Sequence, residues 1–513
     1  MKRLLTYFIL SVLTIGGLYP QTGVMRVEKP AERESDLYEL VPCGDHGALL
    51  VFETIEILDV ENKKWEFTWY DTNLVEQWVK DVPILFGTEF AGYELEEDKL
   101  VLFFLNTRKV KSTPENFSII SIDLETFEFN TIKGEMSNKS EAAGFIVVDD
   151  VAFAAVNADR EDAELYLINM GDGSLQKNVL NVTDQNMIEH ISYNEYDNTV
   201  DVLVSNYVSK RKMALVVFTV NTQGKIVGSY ELADVEDSEG RYPNTARTFR
   251  DVANNLILIG TYNTVPARIP GSEDYDKDQA AGMFMARFEG EVQQFIKYTN
   301  FLELNNLHTG LSRKEYYRVQ RRSMKDGSEF SLNYSLLLHD IQKLDENYIL
   351  LLESYYPDFK TVSDITYDYW GRPIPQTYTV FEGYRFISAI ILSFSEEGDL
   401  LWDNSMEIYN ISTFNLEKKV DYITDSTDVI MFFNEGGKVT YKAIDKDYSL
   451  TGLVHAELEK YYKGDKIQES GYDNMARWYD NNFICYGYQR IRNNSLVDKN
   501  KRTIFYFSKL KFE

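Results

Sequence analysis

The chain has 513 residues, with 44% hydrophobic and 14% aromatic residues, which is enough apolar material for one large repeat domain or several ordinary domains. Its formal net charge of −28 argues against nucleic-acid binding, because phosphate contacts need clustered Lys and Arg side chains. We interpret the acidity mainly as a property of a soluble surface, and 11 prolines exclude a proline-rich linker architecture.

The first residues have the pattern of a secretory signal peptide. Lys2 and Arg3 precede an apolar stretch that ends at Leu18, and a polar break follows. A membrane-spanning helix needs about 20 apolar residues, so this shorter stretch favours cleavage over anchoring. We expect residues 1–22 to be removed, the mature chain to have no transmembrane span, and the protein to be exported to the periplasm or secreted.

One pattern then recurs eight times: a turn with Asp, Asn or Gly, a short apolar run of β-forming residues, a loop and a second such run. The first runs begin at Ala48, Leu100, Val151, Val200, Leu256, Tyr348, Val429 and Phe483. The second runs begin at Trp65, Ile119, Leu165, Leu215, Met283, Ile390, Val439 and Ile504. The first runs are 52, 51, 49, 56, 92, 81 and 54 residues apart, and propeller blades repeat at roughly 40–50 residues. This spacing predicts an all-β fold, a single β-propeller over residues 23–513 with eight blades, or seven as the alternative.

The eighth pair of runs ends at the C-terminus, so the last predicted blade lacks an outer strand of its own. A strand within residues 23–31 would supply it, close the ring and cover an exposed edge. Cys43 in the first blade and Cys485 in the last would then be neighbours, and an oxidising environment would permit a disulfide between them. Two buried free thiols are the alternative that the sequence leaves open.

Extra residues are concentrated around the fifth and sixth units. The insertions are residues 263–281, 301–333 and 357–382, and propeller topology places all three on one face. Within the second insertion, residues 311–325 predict a short helix between blades five and six. Its basic side chains would meet an acidic partner or form a solvated surface. These residues are Arg313, Lys314, Arg318, Arg321, Arg322 and Lys325.

The insertion at 357–382 predicts a protruding hairpin with a turn around Gly371 and Pro373. Tyr and Trp together with Arg and Asp suit ring stacking and polar recognition of a sugar or a peptide segment. The alternative is that these rings pack against their own blade. The candidate ligand-binding residues are Tyr355, Tyr356, Asp358, Tyr367, Tyr369, Trp370, Arg372, Tyr378, Tyr384 and Arg385.

Four segments of the second half resemble parts of uncharacterised exported proteins from Gram-negative bacteria. These segments are YDYWGRP at 367–373, YTVFEGYR at 378–385, GDLLWDN at 398–404 and the strand with His339 and Asp340. The resemblance implies an exported location and a repeat fold, and it implies no activity.

The sequence contains no recognisable catalytic motif: it lacks a Gly-x-Ser-x-Gly elbow, a His-Glu-x-x-His helix, a Cys-x-x-Cys pair and a phosphate-binding glycine loop. Its five histidines lack metal-ligand spacing, so we expect no metal and no cofactor. We therefore favour a monomeric, non-catalytic binding or scaffold propeller that engages an envelope protein or glycan through the loop face of units five and six. The alternative is a hydrolase or lyase that acts on an extracellular polymer with carboxylates at the channel mouth.

Overall fold

The structure is a computed structural model. It describes residues 20–21, 25–31, 38–106, 115–158, 162–180, 185–209, 212–232, 240–264, 279–307, 317, 321, 332–367, 370, 372–408, 411–425, 428–496 and 500–512. The described strands form eight antiparallel sheets, numbered below in chain order. Two short strands, β1 (Pro20–Gln21) and β2 (Arg26–Pro30), precede sheet 1.

Sheets 1 to 4 each consist of four consecutive strands. Sheet 1 has β3 (Tyr38–Pro42), β4 (Ala48–Ile57), β5 (Asn62–Tyr70) and β6 (Glu76–Leu85). Sheet 2 has β7 (Glu89–Leu95), β8 (Lys99–Leu105), β9 (Phe117–Asp123) and β10 (Phe129–Gly134). Sheet 3 has β11 (Ser140–Val148), β12 (Val151–Ala158), β13 (Asp162–Asn169) and β14 (Leu175–Val179). Sheet 4 has β15 (Asn186–Asn194), β16 (Thr199–Ser209), β17 (Lys212–Asn221) and β18 (Ile226–Glu231).

Sheets 5 to 8 contain the remaining strands. The next five are β19 (Tyr242–Arg250), β20 (Leu256–Asn263), β21 (Gln279–Ala280), β22 (Gly282–Glu289) and β23 (Val292–Asn300), and all except β21 form sheet 5. β21 joins sheet 6, which also has β24 (Leu332–Leu338), β25 (Gln342–Leu344), β26 (Asn347–Tyr367), β27 (Pro373–Phe394), β28 (Leu400–Glu407) and β29 (Ser412–Thr413). Sheet 7 has β30 (Val420–Asp425), β31 (Asp428–Glu435), β32 (Lys438–Asp445), β33 (Tyr448–Ser449) and β34 (Val454–Glu457). Sheet 8 has β35 (Lys466–Arg477), β36 (Asn482–Arg492) and β37 (Lys501–Phe512), together with β1 and β2.

The apolar runs of the sequence are the two middle strands of each sheet. In sheet 2, for example, β8 and β9 are buried along almost their whole length. Strands covered on both faces need apolar side chains at successive positions, which gives continuous runs instead of alternation. The prediction of an all-β chain built from eight strand pairs is therefore confirmed. Among the described residues, no helix is long and apolar enough to cross a membrane.

Each sheet packs against the next through its own hydrophobic cluster. Trp65 of sheet 1 meets Phe104 of sheet 2, and equivalent clusters follow between successive sheets up to sheets 7 and 8. A further cluster joins sheet 8 to sheet 1, where Tyr70 packs edge-on against Phe507 at 5.0 Å between ring centroids. Successive four-stranded sheets packed face to face define an all-β, propeller-like protein.

The N-terminal strand β2 lies at the outer edge of sheet 8. It pairs antiparallel with β37, from Arg26 opposite Ser508 to Pro30 opposite Ile504. The guanidinium of Arg26 lies 4.3 Å from the ring centroid of Tyr506 and donates a 2.7 Å hydrogen bond to Gln489. The segment that we expected at this edge, within residues 23–31, therefore pairs with β37.

Of the two alternatives that the sequence leaves open for the cysteines, the structure has the free thiols: Cys43 and Cys485 are both free and buried. Cys43 belongs to the cluster between sheets 1 and 2, where its Sγ lies 3.4 Å from the carbonyl oxygen of Val41. Cys485 belongs to the cluster between sheets 7 and 8, where its Sγ lies 3.3 Å from the Sδ of Met475. The two thiols face different sheet interfaces, so their positions in the first and last sheets do not bring them together.

We expect both thiols to be unreactive in the native protein. Burial raises the pKa of each thiol well above its ordinary value and excludes the reagent, whereas the nucleophile is the thiolate. Titration with an aromatic disulfide reagent should detect no thiol in native buffer and both thiols in denaturant. A native mass lower by the two hydrogens of a disulfide would contradict this result.

The strands that lead into the three insertions end on the same side of the sheets. Residues 263–281 join β20 to β22, residues 301–333 follow β23, and residues 357–382 form the distal part of β26 and β27. β20, β23 and β26 all run toward the side on which the innermost strands begin. We call this side the upper face and the opposite side the lower face. Most of the first two insertions, including nearly all of the predicted helix at 311–325, lies outside the described residues.

Candidate functional site

The innermost strand of each sheet carries charged, amide and hydroxyl side chains among its apolar residues. Three consecutive inner strands, β11, β15 and β19, contain a register shift. The shifts lie between Ala142 and Gly144 in β11, between Ile188 and His190 in β15 and between Pro243 and Thr245 in β19. Such bulges change the direction of the side chains that follow them and are common beside functional sites.

Inner-strand side chains from sheets that are not neighbours meet each other. Asp340, between β24 and β25 of sheet 6, lies close to His190 of β15 in sheet 4. It also binds Lys418, which precedes β30 of sheet 7. Contact between sheets two positions apart brings these polar groups into one shared space on the inner side of the sheets, which we call the channel.

Three residues converge on the carboxylate of Asp340, and with it they form what we call the channel quartet: His190, Arg247, Asp340 and Lys418. Asp340 Oδ2 accepts a 2.7 Å hydrogen bond from Lys418 Nζ. Asp340 Oδ1 lies 3.9 Å from both His190 Nε2 and Arg247 Nε. These two distances exceed a direct hydrogen bond, and Arg247 Nε has no hydrogen-bond partner in the described part of the chain. Of these groups, His190 and Asp340 also line a cavity, described below, so a ligand oxygen can reach them.

The charges of the channel quartet are set by its surroundings. Burial and the neighbouring Arg247 lower the pKa of His190 to about 3, so its imidazole is neutral at pH 7. Burial raises the pKa of Asp340, but Lys418, His190 and Arg247 outweigh it and lower that pKa to about 2. The channel quartet therefore presents a neutral imidazole and an ionised carboxylate beside two cations. This set can donate to and accept from ligand hydroxyls or an anionic group.

Glu353 on β26 positions two members of the channel quartet. Its carboxylate is fully buried and lies 2.6 Å from His339 Nε2. It also accepts hydrogen bonds from the backbone N–H groups of Lys419, at 2.8 and 3.1 Å, and of Val420, at 3.1 Å. Because His339 precedes Asp340 and Lys419 follows Lys418, one buried carboxylate fixes the backbone on both sides of the Asp340–Lys418 pair.

A cavity of about 470 Å³ lies beside the channel quartet, toward the lower face. Its wall includes His190 and Asp340 with the ends of β11, β15 and β19, and the exposed rings of Tyr193 and Tyr196 also line it. Its volume falls in the range of roughly 300–1,000 Å³ that is usual for small-molecule sites. We call it the channel cavity.

A second polar group lines the channel. Burial, with the nearby carboxylate of Glu417, raises the pKa of Glu39 on β3 to about 7. Glu417 itself accepts hydrogen bonds from Lys419 at 3.2 Å and from Asn474 at 3.1 Å. Burial also raises the pKa of Glu94 on β7 to about 7. These carboxyl groups can hold a proton near neutral pH, as a general acid must.

The predicted hairpin is present, with β26 and β27 paired from Tyr348 opposite Phe394 to Tyr367 opposite Pro373. At its base, the ring of Tyr355 is buried edge-on against Tyr384. At the base of the hairpin, the rings therefore pack against their own blade, which is the alternative interpretation given above.

Other candidate ligand-binding residues of the hairpin remain accessible. Asp358 and Arg385 form a 2.7 Å ion pair across the two strands, and Tyr356 is partly buried against the cluster of sheets 5 and 6. Farther out, Trp370 is 77% exposed and Tyr378 is 49% exposed, and Arg372 is also exposed. Tyr369 and the side chain of Tyr367 lie outside the described residues, as does the basic segment except for Arg321. The hairpin projects from the upper face, whereas the channel cavity lies toward the lower face, so their ligand roles are separate predictions.

The channel quartet was not identified from sequence, although His339 and Asp340 were noted for a resemblance. A usable signal was present, because charged residues precede several apolar runs at similar spacing. His190 lies ten residues before Val200, and Arg247 lies nine residues before Leu256. These positions are the inner strands, whose polar side chains interrupt the apolar pattern.

No protein-family model matches the sequence, and a search of curated proteins found no match. Several solved structures are similar at low identity. Dihydro-heme d1 dehydrogenase NirN in complex with DHE has a TM-score of 0.42 and 10% identity, over 95% of this chain and 79% of that chain. Polysaccharide lyase Uly1 has a TM-score of 0.39 and 9% identity, over 95% and 98%. The β-propeller domain of the Trilobed protease from Pyrococcus furiosus has a TM-score of 0.34 and 9% identity, over 81% and 97%. The propeller-like assignment rests on the sheets and their packing described above.

Proposed function

We propose that this protein is an exported, closed eight-bladed β-propeller that binds a glycan in its central channel. The pairing of β2 with β37 and the cluster between sheets 8 and 1 support closure of the ring. The signal-like N-terminus supports export to the periplasm or beyond the cell. A glycan is the favoured ligand because the channel cavity combines aromatic rings with charged and hydroxyl groups, the mixture that stacks on and hydrogen-bonds to sugars.

One observation carries the proposal. Asp340 Oδ1 faces His190 Nε2 and Arg247 Nε at 3.9 Å each, and the bond from Lys418 holds the same carboxylate in place. A sugar hydroxyl between these groups would donate to Asp340 and accept from Arg247. Because these polar groups are positioned by the scaffold before the ligand arrives, little conformational freedom is lost on binding.

We expect Arg247→Ala to weaken glycan binding by about 10- to 100-fold, since a charge-assisted hydrogen bond contributes about 1.5–3 kcal/mol. The measurement is calorimetric titration against a panel of neutral and acidic oligosaccharides, beginning with cello-oligosaccharides and oligogalacturonides. Arg490→Ala is the matched control, because Arg490 is exposed, pairs with Glu469 and does not line the channel cavity. It should bind as the wild type does.

Deletion of residues 357–382 separates the channel from the upper-face hairpin. If the channel binds the glycan, this deletion leaves glycan affinity unchanged. If the deletion abolishes binding and Arg247→Ala does not alter it, the hairpin is the binding site and the channel proposal fails. Wild-type protein that binds no oligosaccharide of the panel would reject the glycan proposal altogether.

A hydrolase or lyase acting on an extracellular polymer is the second candidate. The raised pKa of Glu39, about 7, beside the carboxyl group of Glu417 favours it, because two neighbouring carboxyl groups can divide proton transfer between them. If this candidate is correct, the wild type should cleave a glycan that it binds. The Glu39→Gln variant should bind the same glycan without cleaving it. Unchanged oligosaccharide length after long incubation with the wild type would exclude this candidate.

A further inference from the structure

A second cavity, of about 580 Å³, lies between sheets 4 and 5 at the lower face. Its walls come from the outer strands of sheet 4 and from turns of sheet 5, so it extends away from the channel. Small residues, Gly228, Ala253 and Gly290, leave room within it. The lining amide and hydroxyl side chains are those of Asn194, Thr199, Thr219, Asn221, Asn254 and Asn255. We call it the lateral cavity.

The lateral cavity and the channel cavity share a wall. The turn between β15 and β16 contributes residues to both: Tyr193 and Tyr196 line the channel cavity, while Asn194 and Asp197 line the lateral cavity. Arg250 lines both. A chain-like ligand that leaves the channel cavity across this turn enters the lateral cavity.

The charge of the lateral cavity differs from that of the channel quartet. Arg250 is neutralised by Asp201, to which it donates two hydrogen bonds at 2.7 and 2.8 Å. Its remaining hydrogen bonds reach Thr219 at 3.0 Å, the carbonyl oxygen of Asn254 at 3.1 Å and the hydroxyl of Tyr230 at 3.5 Å. Asp197 adds a carboxylate to the wall. This cavity therefore suits hydroxyl groups of an uncharged sugar and disfavours an anion.

One buried hydroxyl in the lateral cavity lacks a partner. Thr199 is only 4% exposed, and its Oγ1 makes no hydrogen bond with any described residue. Buried polar groups are normally paired, and a ligand hydroxyl in the cavity is one partner that the hydroxyl of Thr199 can take.

We propose that the lateral cavity is a second subsite, which binds an uncharged sugar residue of the same glycan that occupies the channel cavity. This inference rests on the proposed function. It predicts a preference for oligosaccharides long enough to cross the turn between the two cavities. Each cavity would bind its own part of the chain, so occupation of the second adds affinity to the first.

The test is the dependence of affinity on ligand length, measured by calorimetry from monosaccharide to hexasaccharide in the cello- and galacturonide series. For the wild type we expect affinity in the cello series to rise by at least tenfold once the chain reaches the lateral cavity. We expect no such rise in the galacturonide series, because the cavity disfavours an anion. Ala253→Trp fills that cavity and should remove the gain while leaving the affinity for the shortest bound ligand unchanged. Val252→Trp is the matched control, because Val252 is the adjacent residue, is exposed and does not line the cavity. The Val252→Trp variant should retain the increase in affinity with ligand length.

Thr199→Val tests the unpaired hydroxyl without changing the side-chain shape. We expect it to reduce the length-dependent gain threefold or more and to leave short ligands unaffected. Equal affinity of the wild type for short and long ligands, or an undiminished gain in Ala253→Trp, would overturn the second subsite while the channel site stands. Absence of wild-type binding at every length would instead overturn the proposed function on which the subsite rests.

Discussion

A chain that lacks residues 25–31 should be less stable by on the order of 3–5 kcal/mol, the range of large core truncations. The missing strand β2 pairs with β37 and places Arg26 over the buried ring of Tyr506. Without it, the outer edge of sheet 8 is uncovered, and Ala31 is lost from the cluster that joins sheets 8 and 1. The measurement is urea unfolding followed by circular dichroism and tyrosine fluorescence.

The control for this experiment is a chain that begins at Gly23, which keeps β2 and should unfold at the urea concentration of the full chain. If the shortened chain does not fold, Arg26→Ala provides a graded version, because it removes only the contacts of one side chain, with Tyr506, Gln489 and Glu28. Ring closure by β2 would be rejected if both altered chains unfolded at the same urea concentration as the control.

Glu353→Ala should have a comparable effect on stability, about 3–5 kcal/mol, because it removes one partner of a buried charged network. His339 and the N–H groups of Lys419 and Val420 would lose their acceptor. An unpaired buried donor costs about 1–3 kcal/mol. Glycan binding should weaken in the same variant, since the backbone beside Asp340 and Lys418 would no longer be fixed.

The matched control is Glu396→Ala in the same sheet, because Glu396 forms a partly exposed 2.9 Å pair with Lys343. Such pairs contribute about 0–1 kcal/mol, so its unfolding midpoint should barely change. Glu353→Gln keeps the side-chain shape. Its loss of stability should lie between those of Glu396→Ala and Glu353→Ala, because the neutral amide retains one acceptor. If Glu353→Ala were as stable as Glu396→Ala, the positioning role of Glu353 would be wrong.

Much of the fold could be predicted from sequence for a physical reason. Middle strands such as β8 and β9 have neighbours on both faces, so their residues are continuously apolar, and the turns between them contain Asp, Asn and Gly. This pattern indicated the eight strand pairs, and the missing last strand indicated a role for residues 23–31. Loop length also indicated the hairpin at 357–382, whose two strands pair as expected.

Only the tertiary structure decided where the candidate site lies. The four residues of the channel quartet are far apart in sequence. They meet because the inner strands of sheets 4 and 5 lie close to the segments that hold Asp340 in sheet 6 and Lys418 before sheet 7. Their polar side chains and the neighbouring bulges interrupt the apolar pattern, so the strands that hold the site gave the weakest sequence signal. The sheet interfaces likewise separated Cys43 from Cys485, because residues in the first and last sheets can face different neighbours. Local pattern thus determined the strands, whereas the direction in which each inner side chain points depends on packing between sheets.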